Sequence, residues 1–224
     1  MDIIKVSKVT SSYNGHVAVE NIDFKIKEGD FVCLVGENGS GKSTIIKNII
    51  GMHKYEKGNI EVNCKKEEIS YLEQFNMKDI DFPGTAKEII MTGLQKPKGR
   101  LFYNKEDYKL LKSISELLNI NTILNKRIGD LSGGQRQRVM LARTVIGAPK
   151  VLILDEPCSG LDIKMIREFY KILYQLNKDK KVTIIIATHD TNELEKIFKD
   201  IDIRVIEVAK KVMFDGNIKN WKGL

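Results

Sequence analysis

A glycine-rich loop between an apolar run and a helix is the feature that most constrains this chain. Residues 36–43 match the pattern G-x-x-x-x-G-K-[ST]. They follow the apolar run Phe31–Val35 and lead into residues 42–50, where isoleucines recur at helical spacing. A strand, a loop and a helix in this order direct successive backbone N–H groups at phosphate oxygens. The chain is therefore predicted to fold around a buried strand that ends in an anion-binding turn.

This segment, here called the phosphate loop, is expected to bind a nucleoside triphosphate. Its glycines allow backbone conformations that are closed to other residues. Lys42 would bridge the β- and γ-phosphates, and Ser43 would give its hydroxyl to Mg²⁺. The predicted nucleotide contacts in and beside the loop are Gly36, Glu37, Asn38, Gly39, Ser40, Gly41, Lys42, Ser43 and Thr44.

A second buried strand ends in two carboxylates. Residues 151–154 form an uninterrupted apolar run, which predicts a strand buried on both faces, and Asp155 and Glu156 follow it. Ligands of open α/β sheets bind beyond the carboxyl ends of the strands, so these side chains should face the phosphate loop. We expect Asp155 to hold hydrated Mg²⁺ and Glu156 to act as general base towards water. The alternative is a loop carboxylate pair with no partner.

Residues 131–135 read Leu-Ser-Gly-Gly-Gln and are here called the LSGGQ segment. They precede a predicted helix over residues 136–146, so Ser132 is a predicted N-cap beside two bare glycine N–H groups. A chain with two such anion sites resembles the ATP-binding cassette (ABC) family, in which two subunits pack head to tail. The resemblance implies that each ATP lies between one subunit's phosphate loop and the other's LSGGQ segment. The implied contacts are Ser132, Gly133, Gly134 and Gln135.

The same resemblance implies roles for four further residues. Tyr13 matches the aromatic residue that stacks on adenine, and Gln74 the glutamine that contacts Mg²⁺ and water and senses the membrane partner. Asp162 lies in a stretch that matches the loop linking the two catalytic sites, and His189 matches the histidine that contacts the γ-phosphate. Taken singly, these residues would more often be packing, solvated or structural. The implied catalytic set is Lys42, Gln74, Glu156 and His189, and the implied metal ligands are Ser43, Gln74 and Asp155.

The predicted fold is an α/β P-loop NTPase core with a mostly parallel sheet, an N-terminal antiparallel β lobe and an α-helical lobe. One ABC ATPase domain would span residues 1–224, with residues 1–35 forming the β lobe and about 75–145 the helical lobe. Core strands are expected just before Gly36 and at residues 68–72, 151–154, 182–187 and near 203–208. Helices are expected at residues 85–92, 105–118 and 122–125, and a final strand at 211–214.

Composition limits the alternatives. At 224 residues the chain has room for one cassette and not for two. Its net charge of +7 is scattered, which is typical of a solvated surface and also suits anionic lipid head groups; no nucleic acid partner is expected. The three cysteines are far apart and predict neither a disulfide framework nor a zinc site, and Cys33 is expected in the core. Without a signal pattern or membrane-spanning run, the chain is expected in the cytoplasm, peripheral at the inner face of the membrane.

Within the resembled family, the expected class is transport. The interval between Gln74 and Leu131 is too short for the long coiled coil of chromosome-maintenance proteins. Translation factors carry two cassettes in one chain, and this chain has one. The expected partners are a second cassette, most simply an identical chain, integral membrane permease subunits and, indirectly, a substrate-binding protein.

Residues 79–93 carry a hint about cargo. They resemble the pattern D-x-x-F-P-x-T-V-x-E-V-V-x-x-G of cassettes that serve zinc and manganese importers, with Ala86 in place of the usual Val. A structural explanation is also open, in which Pro83 and Thr85 simply start a helix with Thr85 as N-cap. Metal-ion import is the favoured function. Import of an iron chelate or a vitamin, export of a drug or lipid, and a soluble role on ribosomes or nucleic acid stay open as alternatives.

Overall fold

The computed structural model describes residues 1–73, 83–94, 102–198 and 201–223, with only the backbone of Asn192 and Glu193. Gln74 and the first part of the importer-like pattern, residues 79–82, lie outside the described residues. Within the described part, the strands form a three-stranded antiparallel sheet and a six-stranded, mostly parallel sheet. Helices pack against the larger sheet, as the sequence predicted for an α/β fold.

The elements follow one another in the order of the chain. The strands are β1 (Asp2–Tyr13), β2 (His16–Lys27), β3 (Phe31–Val35), β4 (Lys57–Val62), β5 (Ile69–Leu72), β6 (Val151–Asp155), β7 (Thr183–Thr188), β8 (Arg204–Val208) and β9 (Val212–Asn217). The helices are α1 (Lys42–Ile49), α2 (Ala86–Met91), α3 (Lys105–Leu117), α4 (Gly133–Val145), α5 (Ile163–Lys180) and α6 (Thr191–Phe198). Short 3₁₀ turns lie at Lys66–Glu68, Asn121–Ile123, Ile128–Asp130 and Ile218–Asn220.

The larger sheet has the strand order β5-β6-β7-β3-β8-β9, and only β9 runs antiparallel to its neighbour. Every residue of β3, β6 and β7 is buried. This confirms the prediction that residues 151–154 form a strand covered on both faces, and β3 and β7 are covered in the same way. Val35 pairs with Thr188, and Asp155 pairs with Ala187. The carboxyl ends of β6, β7 and β3 therefore lie side by side at one edge of the sheet.

Two hydrophobic cores cover the two faces of this sheet. Alternate residues of each central strand enter different cores, as period-two side-chain geometry requires. Cys33 packs with the side of the sheet that carries α2, α4 and α5, and Val32 packs with α1 and the antiparallel sheet. Cys33 is fully buried, as predicted for a small core residue.

The antiparallel lobe differs from its predicted bounds of 1–35. Phe31–Val35 belongs to the parallel sheet, where it pairs with β7 and β8, and Lys57–Val62 joins β1 in the antiparallel sheet. The turn at Gly29 (φ 80°) separates two strands of different burial. β2 buries alternate residues over much of its length, whereas β3 is buried throughout. β4 escaped prediction because it is an edge strand with only weak apolar alternation.

Caps explain where the helices of the helical lobe begin. Thr85 accepts a hydrogen bond from the Glu88 backbone N–H, and the Glu88 carboxylate accepts one from the Thr85 N–H. The structural explanation of Thr85 as an N-cap is therefore confirmed. Ser132 is likewise the N-cap of α4, although that helix begins three residues earlier than predicted. The helix predicted at residues 122–125 is a 3₁₀ turn over Asn121–Ile123.

No helix in the described ranges is both long enough and apolar enough to cross a bilayer.

Candidate active site

The phosphate loop forms a cradle that only glycine can line at two positions. Gly36 has φ 154° and Gly41 has φ 107°, both in regions that favour glycine. A Cβ atom at Gly41 would come within 2.8 Å of the Ala18 carbonyl oxygen, and one at Gly36 within 2.6 Å of the Ser40 hydroxyl. The loop is tied to the strand end of β8 because the Lys210 N–H donates to the Ser40 carbonyl at 2.9 Å. Conformation and close packing therefore both fix the loop.

Lys42 lies beneath this loop, with only 4% of its surface exposed. Its Nζ donates hydrogen bonds to the carbonyl oxygens of Gly36 at 2.8 Å and Glu37 at 2.9 Å. Burial lowers the pKa of Lys42, while the nearby charges of Glu156 and Asp155 act to raise it. The ammonium group is thus held at the centre of the loop, within electrostatic reach of two carboxylates.

Asp155 ends β6 and is 4% exposed. Its Oδ1 has no hydrogen-bond partner among the described residues. Burial raises the pKa of Asp155, and a hydrogen bond from the Ser43 side chain partly opposes that rise. A buried carboxylate oxygen without a partner is costly unless something binds it. Asp155 and Ser43 together supply hard oxygen donors, which fit Mg²⁺.

Glu156 follows Asp155 in a positive-φ conformation (φ 47°), and its N–H donates to the Ala187 carbonyl at 2.9 Å. Its carboxylate Oε1 lies 3.1 Å from Nδ1 of His189, the residue after β7. The Glu156 side chain is 14% exposed and that of His189 is 38% exposed. A carboxylate held in this way at the mouth of the site can accept a proton from a water molecule.

A cavity of about 520 Å³ adjoins the phosphate loop, and Lys42, Ser43 and Glu156 line it. Its lining comes from the β1–β2 hairpin, the phosphate loop and the end of β6, and comprises Tyr13, Ala18, Asn38, Gly39, Gly41, Lys42, Ser43, Thr44 and Glu156. The fold thus brings Tyr13 to the same cavity as the phosphate loop. The Tyr13 ring also stacks on the His53 ring.

The LSGGQ segment and Asp162 lie elsewhere, and none of their residues is among those that line this cavity. Ser132 and Gly133 are exposed at the start of α4. Asp162 is the N-cap of α5, where its carboxylate accepts from the Met165 N–H at 2.9 Å. A Cβ atom at Gly134 would collide with the Met165 side chain, so the starts of α4 and α5 pack together. Ser132, Gly133 and Asp162 thus belong to a second, exposed surface of the protomer, whereas Gly134 is buried.

Two residues near the site escaped the sequence analysis. Tyr71 lies on β5 beside β6, and its hydroxyl is buried close to the Asp155 carboxylate. Burial and then the Asp155 charge raise the pKa of this hydroxyl. His53 follows α1 in a polar turn. Neither position carried a signal, because a strand tyrosine reads as a packing residue and an isolated histidine reads as a loop residue.

Comparisons with known proteins identify the family. A family model described as ABC transporter matches residues 19–159, and an AAA domain model matches residues 127–195. The zinc uptake system ATP-binding protein ZurA of Listeria innocua is 36% identical, over 98% of this chain and 88% of its own length. The manganese transport system ATP-binding protein MntB of Halalkalibacterium halodurans is 31% identical, over 89% of this chain and 81% of its own.

Solved structures give the same result for the fold. The structure of cbiO1 from Clostridium perfringens, part of the ABC transporter complex cbiONQ, has a TM-score of 0.82 at 29% identity and covers 97% of this chain and 89% of its own. The dimeric post-hydrolysis state of the cassette MJ0796, bound to ADP and phosphate, has a TM-score of 0.78 at 26% identity, over 97% and 100% of the two chains. The chain therefore belongs to the ABC transporter family and is one of its ATP-binding subunits, an ATPase.

Proposed function

We propose that this ATPase powers the import of a divalent metal ion, zinc or manganese, by hydrolysing ATP between two cassettes. The observation that carries the hydrolytic part is the convergence of a phosphate-binding cation and a base. Lys42 and Glu156 line one cavity, and Glu156 contacts His189 at 3.1 Å. Zinc and manganese come from the names of relatives that align with nearly the whole chain.

The triphosphate binds the phosphate loop in this proposal. The Nζ of Lys42, which donates to the Gly36 and Glu37 carbonyls, turns to the β- and γ-phosphate oxygens. The N–H groups at the start of α1 supply further donors, aided by the helix dipole. Tyr13 stacks on the adenine ring at the open end of the cavity.

Mg²⁺ fits the oxygen donors Ser43 and Asp155, to which the family resemblance adds Gln74. When bound, Mg²⁺ would neutralise charge on the β- and γ-phosphates. Asp155 is suited to this role because its Oδ1 is buried without a partner among the described residues.

Glu156 is the proposed general base. The oxygen of a water molecule attacks the γ-phosphorus, a proton of that water passes to the Glu156 carboxylate, and the bond to the β–γ bridging oxygen breaks to give ADP and phosphate. His189 holds Glu156 through its ring nitrogen and lies where it can contact the γ-phosphate. Its position after β7, between β6 and β3, supports this role.

A second copy of the chain completes each site. Its LSGGQ segment, exposed at Ser132 and Gly133, presents Ser132, Gly133, Gly134 and Gln135 to the γ-phosphate, and its Asp162 lies beside that contact. The separation of these residues from the protomer's own cavity supports the arrangement, as does a dimeric cassette among the structural neighbours. Permease subunits at the inner face of the membrane, and indirectly a substrate-binding protein, complete the proposed importer.

Uptake of radioactive zinc and manganese by cells that lack this chain tests the cargo. Return of the wild-type chain should restore uptake of one of the two metals, and Lys42→Ala should not. Lys171→Ala serves as a control, because Lys171 is an exposed residue of α5. Unchanged uptake of both metals after loss of the chain would refute zinc and manganese as the cargo. Restoration of metal uptake by the Lys42→Ala variant would refute the coupling of transport to ATP.

A further inference from the structure

The aromatic ring of Tyr13 is covered on one face by the ring of His53. The two ring centroids are 4.0 Å apart, and the planes differ by 11°, which is a parallel stack. Residues 13 and 53 belong to different parts of the fold, the end of β1 and the turn after α1. The stack therefore connects the predicted base-binding residue to the helix that begins at the phosphate loop.

Three hydrogen bonds hold His53 in this place. Its Nε2 lies 3.0 Å from the Ser12 carbonyl oxygen, and since a carbonyl can only accept, Nε2 carries the proton. The His53 N–H donates to the Lys47 carbonyl at 3.1 Å. The His53 carbonyl accepts from Nδ2 of Asn48, also at 3.1 Å. Both the backbone and the ring of His53 are thus fixed to α1 and β1.

Tyr13 is part of the cavity wall, whereas His53 lies outside it. Tyr13 lines the cavity together with Gly41 and Thr44, and His53 is not among the lining residues. Despite the stack, 41% of Tyr13 is exposed. The ring therefore remains accessible from the cavity although His53 covers one of its faces.

We propose that His53 is a positioning residue that holds Tyr13 as the middle layer of a three-ring stack, with the purine base of the bound nucleotide as the outer layer. The inference rests on the proposed function, in which Tyr13 stacks on adenine. A ring that is already fixed loses less conformational freedom when the ligand binds. His53 acts only through Tyr13, so its effect should be confined to ligands that carry a base.

Calorimetric titration of the full chain with two probes, ATP and inorganic tripolyphosphate, tests this directly. His53→Ala should weaken ATP binding about 3- to 10-fold, the range expected for loss of one aromatic stacking partner. Tripolyphosphate binding should not change, because that ligand has no base. The KM for ATP should rise with kcat unchanged, since stacking is uniform between ground and transition states. Met52→Ala, at an exposed neighbouring residue, should alter nothing.

Two further variants separate the ring from its hydrogen bond. His53→Phe keeps an aromatic face and should restore ATP affinity, whereas His53→Gln keeps a donor for the Ser12 carbonyl and should stay weak. If His53→Ala does not fold, His53→Leu fills the space and takes its place in the comparison. Equal losses for both probes, no loss for either, or rescue by Gln and not by Phe would each overturn the inference.

Tyr13→Ala distinguishes this inference from the proposed function. In the background of Tyr13→Ala, the change His53→Ala should have no further effect on ATP affinity, because its route of action is gone. If Tyr13→Ala itself leaves ATP binding unchanged, the stacking role of Tyr13 in the proposed function is wrong. If Tyr13→Ala weakens ATP binding and His53→Ala does not, only the role of His53 is refuted.

Discussion

Nδ1 of His189 lies 3.1 Å from Oε1 of Glu156, so a contact across the sheet edge joins the residue after β7 to the residue after β6. The register of the two strands produces this contact, because Asp155 pairs with Ala187. The Glu156 N–H also donates to the Ala187 carbonyl at 2.9 Å. Backbone and side chain therefore hold the carboxylate at the mouth of the cavity.

Replacement of Glu156 by Gln should slow ATP hydrolysis by roughly 10²- to 10⁴-fold, the usual contribution of a positioned base. Gln has the same shape and can still hydrogen-bond His189, so nucleotide binding should persist. The variant should accumulate as an ATP-bound dimer, detectable by size-exclusion chromatography. Glu116→Gln, an exposed change on α3, is the matched control. A wild-type rate of ATP hydrolysis by the Glu156→Gln variant would show that Glu156 is not the general base.

Replacement of Asp155 by Asn should stabilise the unliganded fold at neutral pH. The pKa of Asp155 is raised by burial, so the folded state binds this proton more tightly than the unfolded chain. The free energy of unfolding therefore falls as the pH rises from the ordinary carboxyl pKa through the raised pKa. Above the raised pKa, the burial of the ionised Asp155 carboxylate destabilises the fold by its full amount. Each 1 kcal/mol recovered corresponds to about 2–4 °C in Tm for a domain of this size.

The same Asp155→Asn variant should lose the extra stability that Mg²⁺ with ATP gives to the wild type. Thermal unfolding with and without Mg²⁺ and ATP, at neutral pH and near pH 4, measures both effects. The unliganded gain should shrink at the lower pH, where the wild-type carboxyl binds its proton. A lower Tm of the unliganded variant at neutral pH would show that Asp155 stabilises the empty fold, contrary to this account.

Ser132 allows its capping role to be separated from its proposed contact with nucleotide. Its hydroxyl accepts from the Gln135 N–H, and loss of such a cap in Ser132→Ala should cost about 1 kcal/mol of stability. Ser132→Asp keeps a good N-cap but places a negative charge where the γ-phosphate of a partner would lie. We expect normal stability, normal ATP binding and no ATP-dependent dimer. A Ser132→Asp variant that dimerises normally would contradict the contact.

Much of the site could be predicted because it lies where regular elements end. Asp155 ends a strand with a strongly apolar sequence, and the phosphate loop, Glu156 and His189 each follow such a strand. Strands of that kind are recognisable without tertiary information, and parallel strands bring their carboxyl ends together. The buried run Val151–Asp155 and the glycines with positive φ followed directly from residue type.

Residues whose positions depend on long-range packing could not be predicted. His53 meets Tyr13 only because the turn after α1 returns to β1, and no local pattern encodes that approach. β4 is an edge strand with mixed polarity, so its own sequence does not predict a strand. Its extended conformation depends on the pairing with β1. Gln74 lies outside the described residues, and its role stays a prediction from the family resemblance.

The central claim is that each hydrolytic site combines Lys42 of one chain with Ser132 of another. Mixing inactive Lys42→Ala protein with inactive Ser132→Asp protein tests it most directly, because a mixed dimer has one site with both residues intact. Half of randomly mixed dimers are of this kind, so ATPase activity should reach up to about a quarter of the wild-type rate. If activity at every mixing ratio only equals the sum of the two inactive proteins, the site does not form between chains and the account is wrong.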